Sequence, residues 1–410
     1  IPALGENTFG ERYLYLPSAG FVVLVSLVYP ALCNSAGVYH LGALRQSRRF
    51  GIVIISILVT LTGLYSIGTI KRNYIWRDNY SLWRDTVKKS PDSHIPHNNL
   101  GKAYFEQRRF EDAIKEYIIA IKLKPNSPEA HYNLALTYSK HEKFEEAIKE
   151  YMIALRLKPN YAEAHGNLGL VYSEQRRFED AIKEYMIAIK LRPDYPELHY
   201  DLALTYSRQE RFEEALKEYM IAIKLNPDYY EAHNDLGNIY AKYGRFEDAI
   251  KEYMIAIKLR PDYPELHYDL ALTYSRQERF EEALKEYMIA IKLNPDYYEA
   301  HNDLGNIYAK YGRFEDAIKE YMIALRLKPN SADTHNNLGN VYSAIGKFEE
   351  AIREYLTALR LNPEDADTHY NLGLVYLEKG LKLKAKEEFK TALKLRPDFT
   401  PAREALESIK

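Results

Sequence analysis

Residues 127–160 read SPEAHYNLALTYSKHEKFEEAIKEYMIALRLKPN. In the first half His131, Leu134, Ala135 and Tyr138 fall at i, i+3, i+4 and i+7, the spacing of one buried helical face. In the second half Phe144, Ala147, Ile148, Tyr151, Ala154 and Leu155 keep the same period. Small residues at 135, 147 and 154 let two backbones approach, while the aromatics fill the remaining space. Ser127 and Pro128 offer a cap and a first-turn proline, and Pro159 stops the second helix. The stretch therefore predicts a pair of packed helices.

Outward from this stretch the pattern recurs. Prolines stand at 91, 125, 159, 193, 227, 261, 295, 329, 363 and 397, always 34 residues apart. A fixed period in this range is the signature of a solenoid. The columns at Leu134, Ala135, Tyr138, Phe144, Ala147, Tyr151, Ala154 and Pro159 resemble the tetratricopeptide repeat (TPR), with His131 where that family usually has Trp. The fold expected is all-α, a TPR superhelical solenoid of nine repeats over 94–399, closed by a capping helix at 400–410. The ninth repeat departs from the pattern, with Lys382 for Phe and Phe389 for Tyr, as terminal units of stacked arrays do. Residues 177–256 repeat letter for letter as 245–324, an offset of two repeats. Such an array suits extended or multivalent contact better than one unique pocket.

Nine histidines occupy one repeat position, from His97 through His131 to His369. Equivalent residues on neighbouring packed helices lie ~8–10 Å apart, too far for one zinc with ligands at ~2 Å. The column reads as packing, and neither a metal nor another cofactor is expected. Two positions further on, every repeat has Asn or Asp: Asn99, Asn133, Asn167, Asp201, Asp235, Asp269, Asp303, Asn337 and Asn371. The column before it carries Tyr132, Tyr200, Tyr268 and Tyr370. These columns lie off the buried stripe, on the face that the TPR resemblance implies lines a concave, peptide-contacting groove. Asn can both donate to and accept from a peptide backbone, and Tyr is an amphipathic contact residue. The bland alternative is a solvated polar face. Four central Asp would make the middle acidic and favour a basic or extended polypeptide, with Arg208, Lys242, Arg276 and Lys310 as an offset.

The head is different. Residues 1–90 carry a charge balance of +6 and residues 91–410 one of −8. FGIVIISILVTLTGLYSIGTI, residues 50–70, holds no charge over 21 positions and as a helix would span ~31 Å, the thickness of a bilayer's hydrocarbon core. An earlier run over about 19–41 is a second candidate span, with a basic loop at 45–49, and a re-entrant or interfacial segment is its alternative. Residues 1–18 precede the spans and 73–93 form a juncture with the repeats. The lone Cys33 permits no intrachain disulfide, and the acidic body without a basic stripe disfavours nucleic acid. The chain begins at Ile1 and runs straight into apolar sequence, so it is expected to be the C-terminal part of a longer protein.

The order of ERYLYLPSAGF (11–21), two spans, and YIWRDNYSLWRDTVKKSP (74–91) leading into repeats resembles the C-terminal end of transmembrane-and-TPR membrane proteins related to GT-C protein O-mannosyltransferases. That resemblance implies a lipid-linked sugar donor, repeats on the periplasmic or lumenal side, and Glu11 and Arg12 near the membrane surface as catalytic candidates. A structural ion pair is the alternative for those two. The expectation is a membrane-anchored scaffold binding polypeptides along its groove; the alternative is the acceptor-binding part of a glycosyltransferase.

Overall fold

The computed structural model describes residues 76–409 without interruption, and between 53 and 74 the positions 53, 56, 57, 59–64, 66, 67, 70 and 74. Glu11, Arg12 and the expected span at 19–41 lie outside these residues, and the expected span at 50–70 is described only in part. Its described positions are helical, and Val53, Ile57, Val59, Leu61, Leu64, Ile67 and Ile70 are exposed. Among the described residues no helix is long and apolar enough to cross a membrane, and every regular element is helical.

The chain forms two compact units, one ending at His141 and one beginning at Glu142. In the first, α1 (Asn79–Lys89) docks on α2 (His94–Glu106), which pairs with α3 (Phe110–Leu123), and α4 (Pro128–Lys140) follows. Asp78 caps α1 by accepting from the Ser81 amide at 2.7 Å, and Tyr80 meets the edge of Tyr104 at a centroid distance of 5.3 Å. The predicted juncture is thus a helix that covers the first repeat. Ser127 caps α4 through the Ala130 amide, as expected of an N-cap serine.

The second unit begins with α5 (Phe144–Leu157) and continues as helix pairs. These are α6 (Ala162–Glu174) with α7 (Phe178–Leu191), α8 (Pro196–Arg208) with α9 (Phe212–Leu225), and α10 (Tyr230–Lys242) with α11 (Phe246–Leu259). Then come α12 (Pro264–Arg276) with α13 (Phe280–Leu293), α14 (Tyr298–Lys310) with α15 (Phe314–Leu327), and α16 (Ala332–Ala344) with α17 (Phe348–Leu361). The last pair is α18 (Ala366–Glu378) with α19 (Lys382–Leu395), against which α20 (Thr400–Ser408) packs as a lid. The second helix of each pair packs on the first helix of the next, so one core runs through the unit.

Among the described residues, six pairs are built around a ring against a glycine, and Ala135, Ala203 and Ala271 take that place in the others. Tyr253 is 1% exposed and lies over Gly237, where an added Cβ would come within 2.7 Å of its Cε1. The Ala at 249 and 256, one turn before and after Tyr253, are fully buried and let the helices close. In the ninth repeat Phe389 fills the Tyr place over Gly373, so the atypical residue preserves the packing. The turn inside each pair needs one left-handed residue. It is Gly at 244, 312, 346 and 380, but Arg108, Glu142, Arg176, Glu210 and Glu278 adopt φ of 58–61° in the same role.

Candidate functional site

The first helices of successive pairs approach closely enough for side chains to bridge them, and the predicted Asn/Asp and Tyr columns sit on that face. In the first unit the Asn133 side-chain amide donates to Asn98 Oδ1 at 3.0 Å. In the second, Tyr200 donates to Asp235 Oδ2 at 2.9 Å and Tyr268 to Asp303 Oδ2 at 3.0 Å. Asn337 donates to Asn306 Oδ1 at 3.0 Å, and Asn371 to Asn336 Oδ1 at 3.3 Å. Within each unit, several neighbouring first helices are therefore tied together by bonds from these columns. Asn133 is buried, whereas Tyr132, Asn99, Asn167 and the remaining members are half-buried. Tyr370 packs on Phe389 and Phe399, with centroids 5.8 and 5.1 Å away.

Burial changes the charge of this face. Desolvation pushes the Asp201 carboxyl up to about 7; Glu197 adds to the shift and Arg208 opposes it. Asp269 is likewise pushed up to about 7, chiefly by burial, against a bond from Asn234. Asp235 and Asp303 are raised by burial, although the Tyr200 and Tyr268 hydroxyls offset part of it. The acidic middle expected from four Asp is thus muted at Asp201 and Asp269, whose carboxyls burial raises to about 7. Arg208, Lys242, Arg276 and Lys310 are exposed at the far ends of the same helices. A cleft of about 450 Å³ between α10 and α12 is lined by Asn238, Lys242, Tyr253, Asp269, Leu272 and Arg276.

A third column escaped the sequence reading. Asn238, Asn306 and Asn340 are exposed on this face, and each accepts from the buried tyrosine beneath it: Tyr253 at 2.8 Å, Tyr321 at 2.7 Å and Tyr355 at 2.7 Å. The histidine column is buried or half-buried, as packing requires, but it is also hydrogen-bonded. His97, for example, faces Glu116 Oε2 at 2.6 Å and the Pro91 carbonyl at 2.9 Å. The signal that could have revealed this is a Glu 19 residues after every one of these His.

The TPR repeat family model matches 101–142 and then seven further overlapping segments ending at 339–380, and the tetratricopeptide repeat model matches 366–399. Protein O-mannosyl-transferase Tmtc2 of Drosophila melanogaster is 36% identical over 103 residues, 25% of this chain and 10% of that protein. Protein O-mannosyl-transferase TMTC1 of Mus musculus is 33% identical over 112 residues, 27% of this chain and 11% of that protein. The matches thus span about a tenth of the length of these curated relatives. Among solved structures, YrrB, described as a TPR protein with an unusual peptide-binding site, is 25% identical with a TM-score of 0.40, covering 45% of this chain and 95% of its own. With its columns, helix pairs and family match in agreement, the chain belongs to the tetratricopeptide repeat family.

Proposed function

We propose that the chain is a membrane-anchored scaffold whose inner face holds an extended polypeptide. The observation that carries this reading is the Asn or Asp that recurs at one position of every first helix, rather than a cluster gathered at one point. Amide side chains so placed offer donors and acceptors at regular intervals, which suits a main chain lying across the helices. The anchor rests on the uncharged 21-residue run at 50–70.

For the face, the test is a random-peptide selection on the whole protein, followed by replacement of Asn133, Asn167, Asn337 and Asn371 together with Ala. The expected result is loss of the selected peptides with an intact helical spectrum; undiminished capture would remove the ladder from the account. For the anchor, residues 94–410 expressed alone should partition away from membranes that retain the full chain.

A second reading is favoured by the similarity to protein O-mannosyl-transferases and by the ERYLYLPSAGF head. In it the array presents acceptor polypeptides to a membrane glycosyltransferase, with Arg12 beside the sugar phosphate. Its test is mannosyl transfer by a longer parent protein with and without residues 94–410: acceptor use should fall when the array is removed.

A further inference from the structure

The two-repeat duplication reproduces three contacts of this face in the second unit. Tyr200 to Asp235 at 2.9 Å is matched by Tyr268 to Asp303 at 3.0 Å. Tyr200 stacks on Tyr229 at 4.9 Å, as Tyr268 does on Tyr297. Lys242 lies 3.9 Å from the centre of the Phe212 ring, and Lys310 lies 4.1 Å from that of Phe280. One surface therefore occurs twice on the same side of one stack, offset by 68 residues.

At the level of the last helical turn this surface presents cations. Asp201, Asp235, Asp269 and Asp303 are half-buried and stand seven residues earlier on the same helices, ~10 Å back along the axis. The exposed Arg208, Lys242, Arg276 and Lys310 end four successive first helices. Glu197, Glu231, Glu265 and Glu299 begin those helices, 11 residues earlier, which is ~16 Å away along the axis. A chain crossing at the level of the last turn meets the cations and not these carboxylates. The two outer neighbours differ: Arg208 pairs with Glu174 at 3.1 Å, whereas one repeat before Arg276 the residue is Lys242. Glu278 approaches Lys310 only at 4.0 Å and is 79% exposed, a contact of little strength.

We propose that this face carries one recognition site twice, Arg208 with Lys242 and Arg276 with Lys310, and that its occupant is an extended acidic polypeptide able to fill both copies. The proposal rests on the scaffold reading above and adds the sign of the partner and its valency. Rungs on the order of 10 Å apart match a carboxylate on about every third residue of an extended strand. A partner bearing its acidic segment twice would gain by linkage, since the second contact becomes intramolecular. The copy at Arg276 and Lys310 is the tighter, because no carboxylate stands where Glu174 stands in the other.

The experiment is calorimetric titration of the full chain in detergent, at low ionic strength, with hexaglutamate, an extended length of ~20 Å. Two peptides per chain are expected, weakened by salt. Arg276→Ala with Lys310→Ala should abolish the tighter site, and Arg208→Ala with Lys242→Ala the weaker, each halving the stoichiometry with unchanged helicity. Glu174→Gln should strengthen the weaker site several-fold. A stoichiometry of one, indifference to both double variants, or binding of hexalysine in place of hexaglutamate would overturn the proposal. Selection of basic peptides through the Asn ladder, with hexaglutamate inert, would sink it while leaving the scaffold reading intact.

Discussion

His165 Nδ1 lies 2.6 Å from Glu184 Oε2, and its Nε2 lies 3.0 Å from the carbonyl oxygen of Pro159. Both neighbours are acceptors, so the ring satisfies both only by donating from both nitrogens, as an imidazolium. His199, His233, His267, His301, His335 and His369 repeat the arrangement in the same unit, each with a Glu at 2.6 Å. Each such histidine ties the first helix of a pair to the second and to the turn that precedes it.

His165, His335 and His369, each raised by its glutamate bond, should therefore hold both ring protons. Nitrogen-15 spectra of His-labelled protein at pH 7 are expected to show two protonated ring nitrogens for these residues. A single-tautomer pattern would contradict the assignment. Glu184→Gln removes the counter-charge of one staple and should cost about 1–3 kcal/mol, read from chemical denaturation of the second unit.

Stability should fall as pH rises through neutrality. His165 is raised above its ordinary value: burial pulls it down, but the Glu184 bond and the Pro159 carbonyl outweigh this. His335 and His369 are raised chiefly by their bonds to Glu354 and Glu388. A raised histidine contributes stability that is complete below its unfolded value of ~6.5 and is lost as pH passes the folded value. Asp201 and Asp269, pushed from 3.8 up to about 7, act in the same direction, their share being lost between those values. Melting curves at pH 5.5 and 8.5 should show the higher midpoint at the acidic end. Asp201→Asn with Asp269→Asn should raise stability at pH 8.5 by roughly 1–2 kcal/mol per site and flatten the profile.

Backbone strain offers a gain of the opposite kind. Glu210 and Glu278 hold φ near +60°, where Gly244 and Gly312 stand in the neighbouring pairs. Glu278→Gly should stabilise by about 1 kcal/mol, because the lost contact with Lys310 is an exposed one. Gly237→Ala should do the reverse, by about 1–3 kcal/mol, since the new methyl meets the Tyr253 ring. Urea titration of both variants checks the pair of signs.

The columns that build the core were readable because burial follows helical period: Leu134, Tyr151 and Ala154 each declare their face through their own neighbours in sequence. The ladder was readable as a place but not as a network. Whether Tyr200 meets solvent or Asp235 depends on the distance between two helices that no local pattern encodes. Asp201 and Asp269 were readable as groove acids but not as raised ones, because only the density around them raises their carboxyls. The link from His165 to Glu184 spans a turn of the chain, so it has no period of its own and shows only when repeats are aligned.

The duplicated block also bears on how the array can change length. Arg208 is followed by Gln209-Glu210-Arg211, and Arg276 by Gln277-Glu278-Arg279. Excision of residues 209–276 would thus join Arg208 to Gln277 and leave a seam with the same sequence on both sides. The Tyr200 hydroxyl would then face Asp303 in the way it now faces Asp235. Gain or loss of this 68-residue cassette would therefore set the same residues against one another across the seam, so that copy number can change with no new junction to pack.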